Sequence, residues 1–379
     1  MLWTTDRPDR VITMVTPALR ALLLLPDLDV GGAQRTIINL ANTLPVEGIS
    51  PTLVAIRGDG MARSWVAPGV ALRVLDCRHS RAALWPLLRV IRDIRPDILL
   101  STMIDANILA VLAGMFTPGL PVIVRETNSH RARGDLGWLR RRAAGWAYRR
   151  ADAVVALSHG VAAELTDDYS LPEASVRTIG NPVDIDALRQ RAAAARSHPA
   201  LAGRQRPLFV AVGRLTRQKG FDILIDAFAR LMRPADLVIV GEGPDRPALE
   251  QKIAACGLGD RVRLHGYAAE PMEVVANADI FVLSSRWEGF GHVIVEAMAA
   301  GLPVIATDCP HGPRDIIVDG VNGRLVRPGD PDALAAAMEA CLADPDQARG
   351  MTPAAQQRAS DFDRRVIAAG YAKLMRELV

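Results

Sequence analysis

Glu288 and Glu296 stand eight positions apart in "SSRWEGFGHVIVEAMAAG", separated by a Gly-Phe-Gly turn and a run of valine and isoleucine. Two carboxylates placed this way are costly to bury without partners, and a polyhydroxylated ligand would offer them paired O–H donors. Between them, Gly289 and Gly291 leave the amides of Phe290, Gly291, His292 and Val293 open to an anion, with a helix dipole behind them. Earlier, "VGRLTRQKGFDILIDAF" puts Arg214 at the end of an apolar run and Lys219 five residues on. A guanidinium fork and a compact ammonium at that spacing can hold one diphosphate. Lysine occurs only at 219, 252 and 373 against 42 arginines, so Lys219 reads poorly as random surface filling.

Two further turns have the same strand, glycine, helix layout. In "DLDVGGAQR" Gly31 and Gly32 precede a helix opening at about Ala33, and in "VIVGEGPDRPALE" Gly241 and Gly243 flank Glu242. Each glycine pair would let a ligand approach the backbone closely, and each is a weak signal alone. Asp27 and Asp29 form a D-x-D that could hold a metal in another setting; in a first strand-to-helix loop they read as turn chemistry.

The elements that must position these residues are legible as alternation. "ALLLLP", "PTLVAI", "LRVLD", "DILLS", "PVIVRE" and "ADAVVALS" read as strands of a first half. "PLFVAVG", "DLVIVGEG", "VRLHG", "DIFVLSS", "PVIATD" and "GRLV" read as strands of a second. Runs this uniformly apolar are buried on both faces, as in parallel sheets covered by crossover helices. The fold class is therefore α/β, two Rossmann-like doubly wound domains facing a cleft, where open sheets of this kind bind ligands at the carboxyl ends of their strands. A chain of 379 residues exceeds what one core supports, which agrees with two domains. The seam falls near "TIGNPVDIDALRQ", giving residues 18–183 and 184–359, with 1–17 a loose leader and 360–379 a terminal helix.

Composition narrows the function classes. The net charge is +3, with residues 1–180 carrying 21 Arg, no Lys and 17 acids. The excess gathers at Arg131, Arg133, Arg140, Arg141, Arg142, Arg149 and Arg150, interleaved with Trp138, Leu139, Trp146 and Tyr148. Such a segment, 131–150, can rest on an anionic membrane or a phosphate-bearing partner, or be a solvated helix face. Cys77, Cys256, Cys309 and Cys341 form no C-x-x-C pair, so neither zinc ligation nor a disulfide framework is supported, and a reducing compartment fits best. No run of about 18 uninterrupted apolar residues is present to span a bilayer.

Taken together, "EGFGHVIVEAMAAGLPVIATD" resembles the Glu-x7-Glu signature of the GT-B retaining glycosyltransferases, specifically glycosyltransferase family 4. "GRLTRQKG", "GEGP" at 241–244 and "GGAQR" at 31–35 match that family's other landmarks in order, over roughly residues 20 to 345. The resemblance implies that Arg214 and Lys219 neutralise a donor diphosphate, Glu296 holds the ribose hydroxyls and Glu288 meets the transferred sugar. The amides around Phe290 to Val293 would bind sugar or phosphate oxygens, Gly243 would line the same site, and Gly31 and Gly32 would close over the diphosphate. Many relatives carry a histidine after the strand "PVIVRE"; here stand Arg125 and Glu126, with His130 further on, and Glu126 becomes the candidate acceptor-side group. "DCPHGPRDII" resembles a subset acting on N-acetylhexosamine donors, and the terminal helix is expected to pack back on the first domain.

The expected activity is retaining transfer of a hexose or N-acetylhexosamine from a UDP- or GDP-sugar to a glycan or lipid-linked acceptor in envelope polysaccharide synthesis. A cationic clamp of Arg214 and Lys219 can stand in for a divalent metal, so no cofactor and no metal are expected. Nucleic acid is not an expected partner. The expected location is cytoplasmic, with peripheral contact to the inner membrane face through 131–150. The alternatives are an epimerase or phosphorylase on the same twin-domain fold, or a non-catalytic sugar-nucleotide-binding protein.

Overall fold

The computed structural model describes residues 18–29, 31–127, 131, 137–196 and 205–379; the expected leader 1–17, His130 and Arg133 lie outside them. Two parallel sheets organise the chain. The first has seven strands in the order β3-β2-β1-β4-β5-β6-β7. They are β1 (Leu19–Leu25), β2 (Ile49–Ala55), β3 (Ala71–Val74), β4 (Ile98–Thr102), β5 (Val122–Glu126), β6 (Ala153–Ala156) and β7 (Val176–Thr178). In register, Leu23 lies between Leu53 of β2 and Leu100 of β4, so the middle of the sheet is leucine and valine on both faces. Such a strand has nowhere to go but under helices on each side.

The second sheet has six strands in the order β10-β9-β8-β11-β12-β13. They are β8 (Leu208–Val212), β9 (Asp236–Val240), β10 (Val262–Gly266), β11 (Ile280–Leu283), β12 (Val304–Thr307) and β13 (Arg324–Val326). Val210 of β8 pairs with Val238 on one side and Phe281 on the other. The helix Ile185–Arg196 packs Ile185, Leu188 and Ala192 into this sheet's core.

The chain crosses between the two sheets twice, and the crossings lie side by side. Val183 donates its amide to the Phe362 carbonyl at 3.0 Å, and Arg364 donates to the Val183 carbonyl at 2.9 Å. After the second crossing the helix Arg364–Leu378 returns to the first sheet and buries Ile367, Tyr371, Leu374 and Met375 against its β1 side. Because every strand in each sheet runs the same way, all strand-to-helix loops leave by one edge. Arg35 meets Glu296, Thr36 meets His292, and His159 meets Asp315, so these two edges face each other across a cleft. Among the described residues, no helix is long and apolar enough to cross a membrane.

Candidate functional site

The turn after β8 carries Arg214 and Lys219. The Leu215 amide donates to the Glu242 carbonyl and the Leu215 carbonyl accepts from the Asp245 amide, which sews this turn to the one after β9. Gly243 permits that contact, since a Cβ there would fall 2.3 Å from the Leu215 carbonyl oxygen. The close approach that the glycines of "GEGP" allow is thus to the neighbouring turn's backbone, and the Glu242 carboxylate is taken by Arg246. Lys219 ends a short 3-10 turn, Arg217–Lys219, closed by Gly220 at a φ of 61°. A side chain at 220 would strike the Ser284 carbonyl, and the Ser284 hydroxyl donates to the Lys219 carbonyl at 2.8 Å. These two contacts hold Lys219 against the end of β11.

There Lys219 meets the first of the two acids. Its Nζ lies 2.6 Å from Glu288 Oε1, and the Ser285 hydroxyl donates to the same oxygen at 2.6 Å. Glu288 is buried, and its Oε2 accepts no hydrogen bond from the described residues. One carboxylate oxygen is therefore anchored and the other left for a ligand's O–H. Arg214, by contrast, is exposed and makes no ion pair among the described residues. It is the uncommitted cation of the pair.

Glu296 projects from the helix His292–Ala299, four residues after its first, toward the other domain. Its Oε1 lies 3.3 Å from Arg35, which follows the Gly31–Gly32 turn. Gly291 precedes this helix at a φ of 95° and supplies no side-chain cap, so the helix's first amides and positive dipole end are open. The helix Gly32–Thr43 opposite also starts without a side-chain cap. The imidazole of His292 closes the space between the two helix starts: its Nε2 is 3.3 Å from Thr36 Oγ1, its Nδ1 is 3.3 Å from Asn181 Nδ2, and a Cβ on Gly32 would sit 3.9 Å from the ring. Burial, then the charges of Arg35, Arg125 and Lys219, push the His292 pKa down to about 3, so the ring is neutral at ordinary pH. Phe290 packs edge-on between His292 and Phe362, and its side chain is core rather than lining.

Arg125 and Glu126, at the end of β5, point to opposite faces. Arg125 is fully buried, gives a hydrogen bond to Thr102 at 3.0 Å and another to Asn181, and lies beside the Tyr371 hydroxyl. Through Asn181 it backs His292. Glu126 accepts from the Tyr148 hydroxyl at 2.5 Å and from the Thr127 amide at 2.8 Å. Burial and the Glu126 charge hold the Tyr148 phenol well above its usual range, which keeps it the donor. The carboxylate of Glu126 is thus engaged by Tyr148 and by its own neighbour's amide. Asp27 accepts from Gln34 at 2.6 Å and from Arg57 at 2.6 Å, which is turn chemistry, and no group of three metal-capable side chains occurs among the described residues.

Sequence reasoning missed the cross-domain partners. Arg35 was visible in "GGAQR" but carried no signal that it would reach a carboxylate 261 positions away. Two histidine–carboxylate pairs also bridge the cleft: His311 to Glu164 at 2.8 Å and His159 to Asp315 at 2.7 Å. In the 131–150 segment, Arg131 and Arg141 pair with Asp168, Arg140 pairs with Asp105, and Arg150 lies over the Trp146 ring. Trp138 and Leu139 are 69% and 65% exposed.

Two family models match the chain. One, "Glycosyl transferases group 1", matches residues 197–358, and the other, "Glycosyltransferase Family 4", matches residues 30–187. The lipopolysaccharide core biosynthesis glycosyltransferase LpsE of Rhizobium meliloti is 28% identical over 319 residues, 83% of this chain and 86% of that one. An N-acetylgalactosamine-N,N'-diacetylbacillosaminyl-diphospho-undecaprenol 4-alpha-N-acetylgalactosaminyltransferase of Campylobacter jejuni is 29% identical over 221 residues, 58% of this chain and 59% of its own. Among solved structures, HepE of Anabaena in complex with UDP superposes with a TM-score of 0.83 at 23% identity, covering 95% of this chain and all of that one. That likeness establishes the two-domain GT-B fold.

Proposed function

The chain belongs to the group 1, family 4 glycosyltransferases of the GT-B fold, and from that premise and the cleft geometry we propose retaining transfer of a hexose or N-acetylhexosamine from a UDP- or GDP-sugar. The acceptor is a glycan or lipid-linked glycan of envelope polysaccharide synthesis, as the functions of the relatives suggest. The single observation that carries the reading is the Lys219–Glu288 pair held beside the uncommitted Arg214, in front of an uncapped helix start. Arg214 and Lys219 take the diphosphate, and the amides from Phe290 to Val293 take its remaining oxygens or those of the sugar. Glu288, through its free oxygen, accepts from a hydroxyl of the transferred sugar. Glu296, anchored by Arg35, accepts from the ribose.

The barrier lies in breaking the bond between the anomeric carbon and the diphosphate oxygen. Positive charge grows on the sugar and negative charge on the leaving group. Fixed cations and helix-end amides bind the departing charge more tightly than the ground state, and need no metal to do so. The acceptor oxygen bonds to the anomeric carbon on the face the diphosphate leaves, and the acceptor proton departs with the released nucleoside diphosphate. Gly31 and Gly32 close the space from the other domain. Gly243 supports the site at one remove, by fixing the turn that holds Arg214.

A thermal-shift panel of nucleotide sugars tests the reading, with a bound donor at about 100 times its dissociation constant raising stability by about 2.7 kcal/mol. No shift with any UDP- or GDP-sugar would refute it. Consumption of donor without acceptor would instead favour an epimerase, and a need for free phosphate a phosphorylase. Contact with an anionic membrane is proposed at the exposed Trp138 and Leu139, because the neighbouring Arg140 and Arg141 are already paired. Sedimentation with phosphatidylglycerol vesicles should carry the protein down, and a Trp138→Ser, Leu139→Ser variant should stay in the supernatant.

A further inference from the structure

A cavity of about 500 Å³ opens at the carboxyl edge of the first sheet, apart from the Lys219–Glu288 site. One side of it is cationic. Arg57 leaves the end of β2, and Arg78 and Arg81 come from the loop "RHSR" that follows β3. Arg57 is neutralised by Asp27 at 2.6 Å, whereas Arg78 and Arg81 are exposed and make no ion pair or hydrogen bond among the described residues. The acid in the lining, Asp105, is held by Arg140. The other side is apolar, formed by Leu84, Ile108 and Leu112. That wall continues outward: Trp85, next to Leu84, meets Phe116, one helical turn beyond Leu112, at a ring separation of 6.3 Å, and both rings are exposed.

The cavity is tied to the cleft by a single carboxylate. Asp27 holds Arg57 with one oxygen and Gln34, in the first turn after Gly31 and Gly32, with the other. Through Arg57 and Asp27 the cavity lining is thus linked to Gln34, which follows the Gly31–Gly32 turn. We propose that this cavity is an acceptor subsite for a phosphate or diphosphate joined to an apolar chain, the anion resting on Arg78 and Arg81 and the chain following Leu84, Ile108 and Leu112 toward Trp85 and Phe116. The proposal rests on the glycosyltransferase reading and names the acceptor's chemistry within it. Two unpaired guanidinium groups beside an apolar trough match that amphiphile in charge and shape, and a neutral oligosaccharide would use neither.

The test is binding of farnesyl diphosphate, measured by tryptophan fluorescence, with the donor site filled by saturating UDP or GDP, whichever stabilises the wild type. Farnesyl diphosphate is expected to bind more tightly than inorganic pyrophosphate or farnesol. The Arg78→Ser, Arg81→Ser double variant is expected to weaken it by about tenfold or more while keeping its nucleotide-induced thermal shift. That retained shift also shows the variant is folded, and it checks the donor reading separately, since nucleotide failing to stabilise the wild type would strike that reading alone. Equal binding of pyrophosphate and farnesyl diphosphate would mean a soluble phosphate ester and overturn the apolar half of the proposal. Undiminished farnesyl diphosphate binding in the double variant would overturn it whole.

Discussion

At the residue scale, the site is an arrangement of charges that are half committed. Lys219 is engaged by Glu288 at 2.6 Å, so it is fixed in place before any ligand arrives. Replacing it with alanine removes the cation that the proposed mechanism sets against the leaving group and strands a buried carboxylate on Ser285 alone. Steady-state kinetics of Lys219→Ala should show kcat/KM reduced by about 2–4 kcal/mol of transition-state free energy. Turnover equal to wild type would end the assignment. His292 gives a second expectation. Its pKa is about 3 in the folded chain against an ordinary value of about 6.5. Between those values the unfolded chain binds a proton that the folded chain refuses, so this group's contribution to stability falls as pH is lowered from about 6.5 toward 3. Urea titrations at pH 7 and pH 4.5 should therefore show a smaller loss of stability in His292→Gln than in the wild type.

At the element scale, the turns are held by one another. Gly243 lets the loop after β9 lie against Leu215 in the loop after β8. A Gly243→Ala variant must move one backbone or the other, and should lose about 1–3 kcal/mol in urea unfolding. Its donor affinity should fall as well, because the displaced loop carries Arg214. The strands themselves were legible in the sequence, since "ALLLLP" or "DIFVLSS" has no polar face to show solvent and so must be covered twice. β7 was not, because Val176–Thr178 is a short, half-exposed edge strand without an apolar run. The paired acids at 288 and 296 and the cations at 214 and 219 were legible for a local reason: each lies in a strand-to-helix turn or, for Glu296, in the helix that follows one, and its neighbours in sequence explain its place. The partners that decide their geometry were not. Arg35 reaches Glu296, and His311 reaches Glu164, only after two sheets have folded and met, and nothing in a local window records that meeting.

At the scale of the whole molecule, the last helix belongs to the first domain. Tyr371 is fully buried against the first sheet and beside Arg125, whose guanidinium backs Asn181 and, through it, His292. A Tyr371→Ala change should cost about 3–5 kcal/mol in thermal or urea unfolding. It should also impair donor binding, although residue 371 touches no ligand, because it loosens the packing behind the cleft. A variant with wild-type stability would show that the helix is a cover and nothing more.

The side-by-side crossings at Val183 and Phe362 have a further consequence during synthesis. A ribosome delivers domains in order, and the usual expectation is that the leading one is finished while the trailing one is still being made. Here the leading sheet emerges with the face that Tyr371 and Met375 will occupy still bare, and it stays so until the whole trailing domain has been translated. The half that is made first is completed last, and a nascent chain stalled before Arg364 presents that apolar face to whatever chaperone waits at the exit.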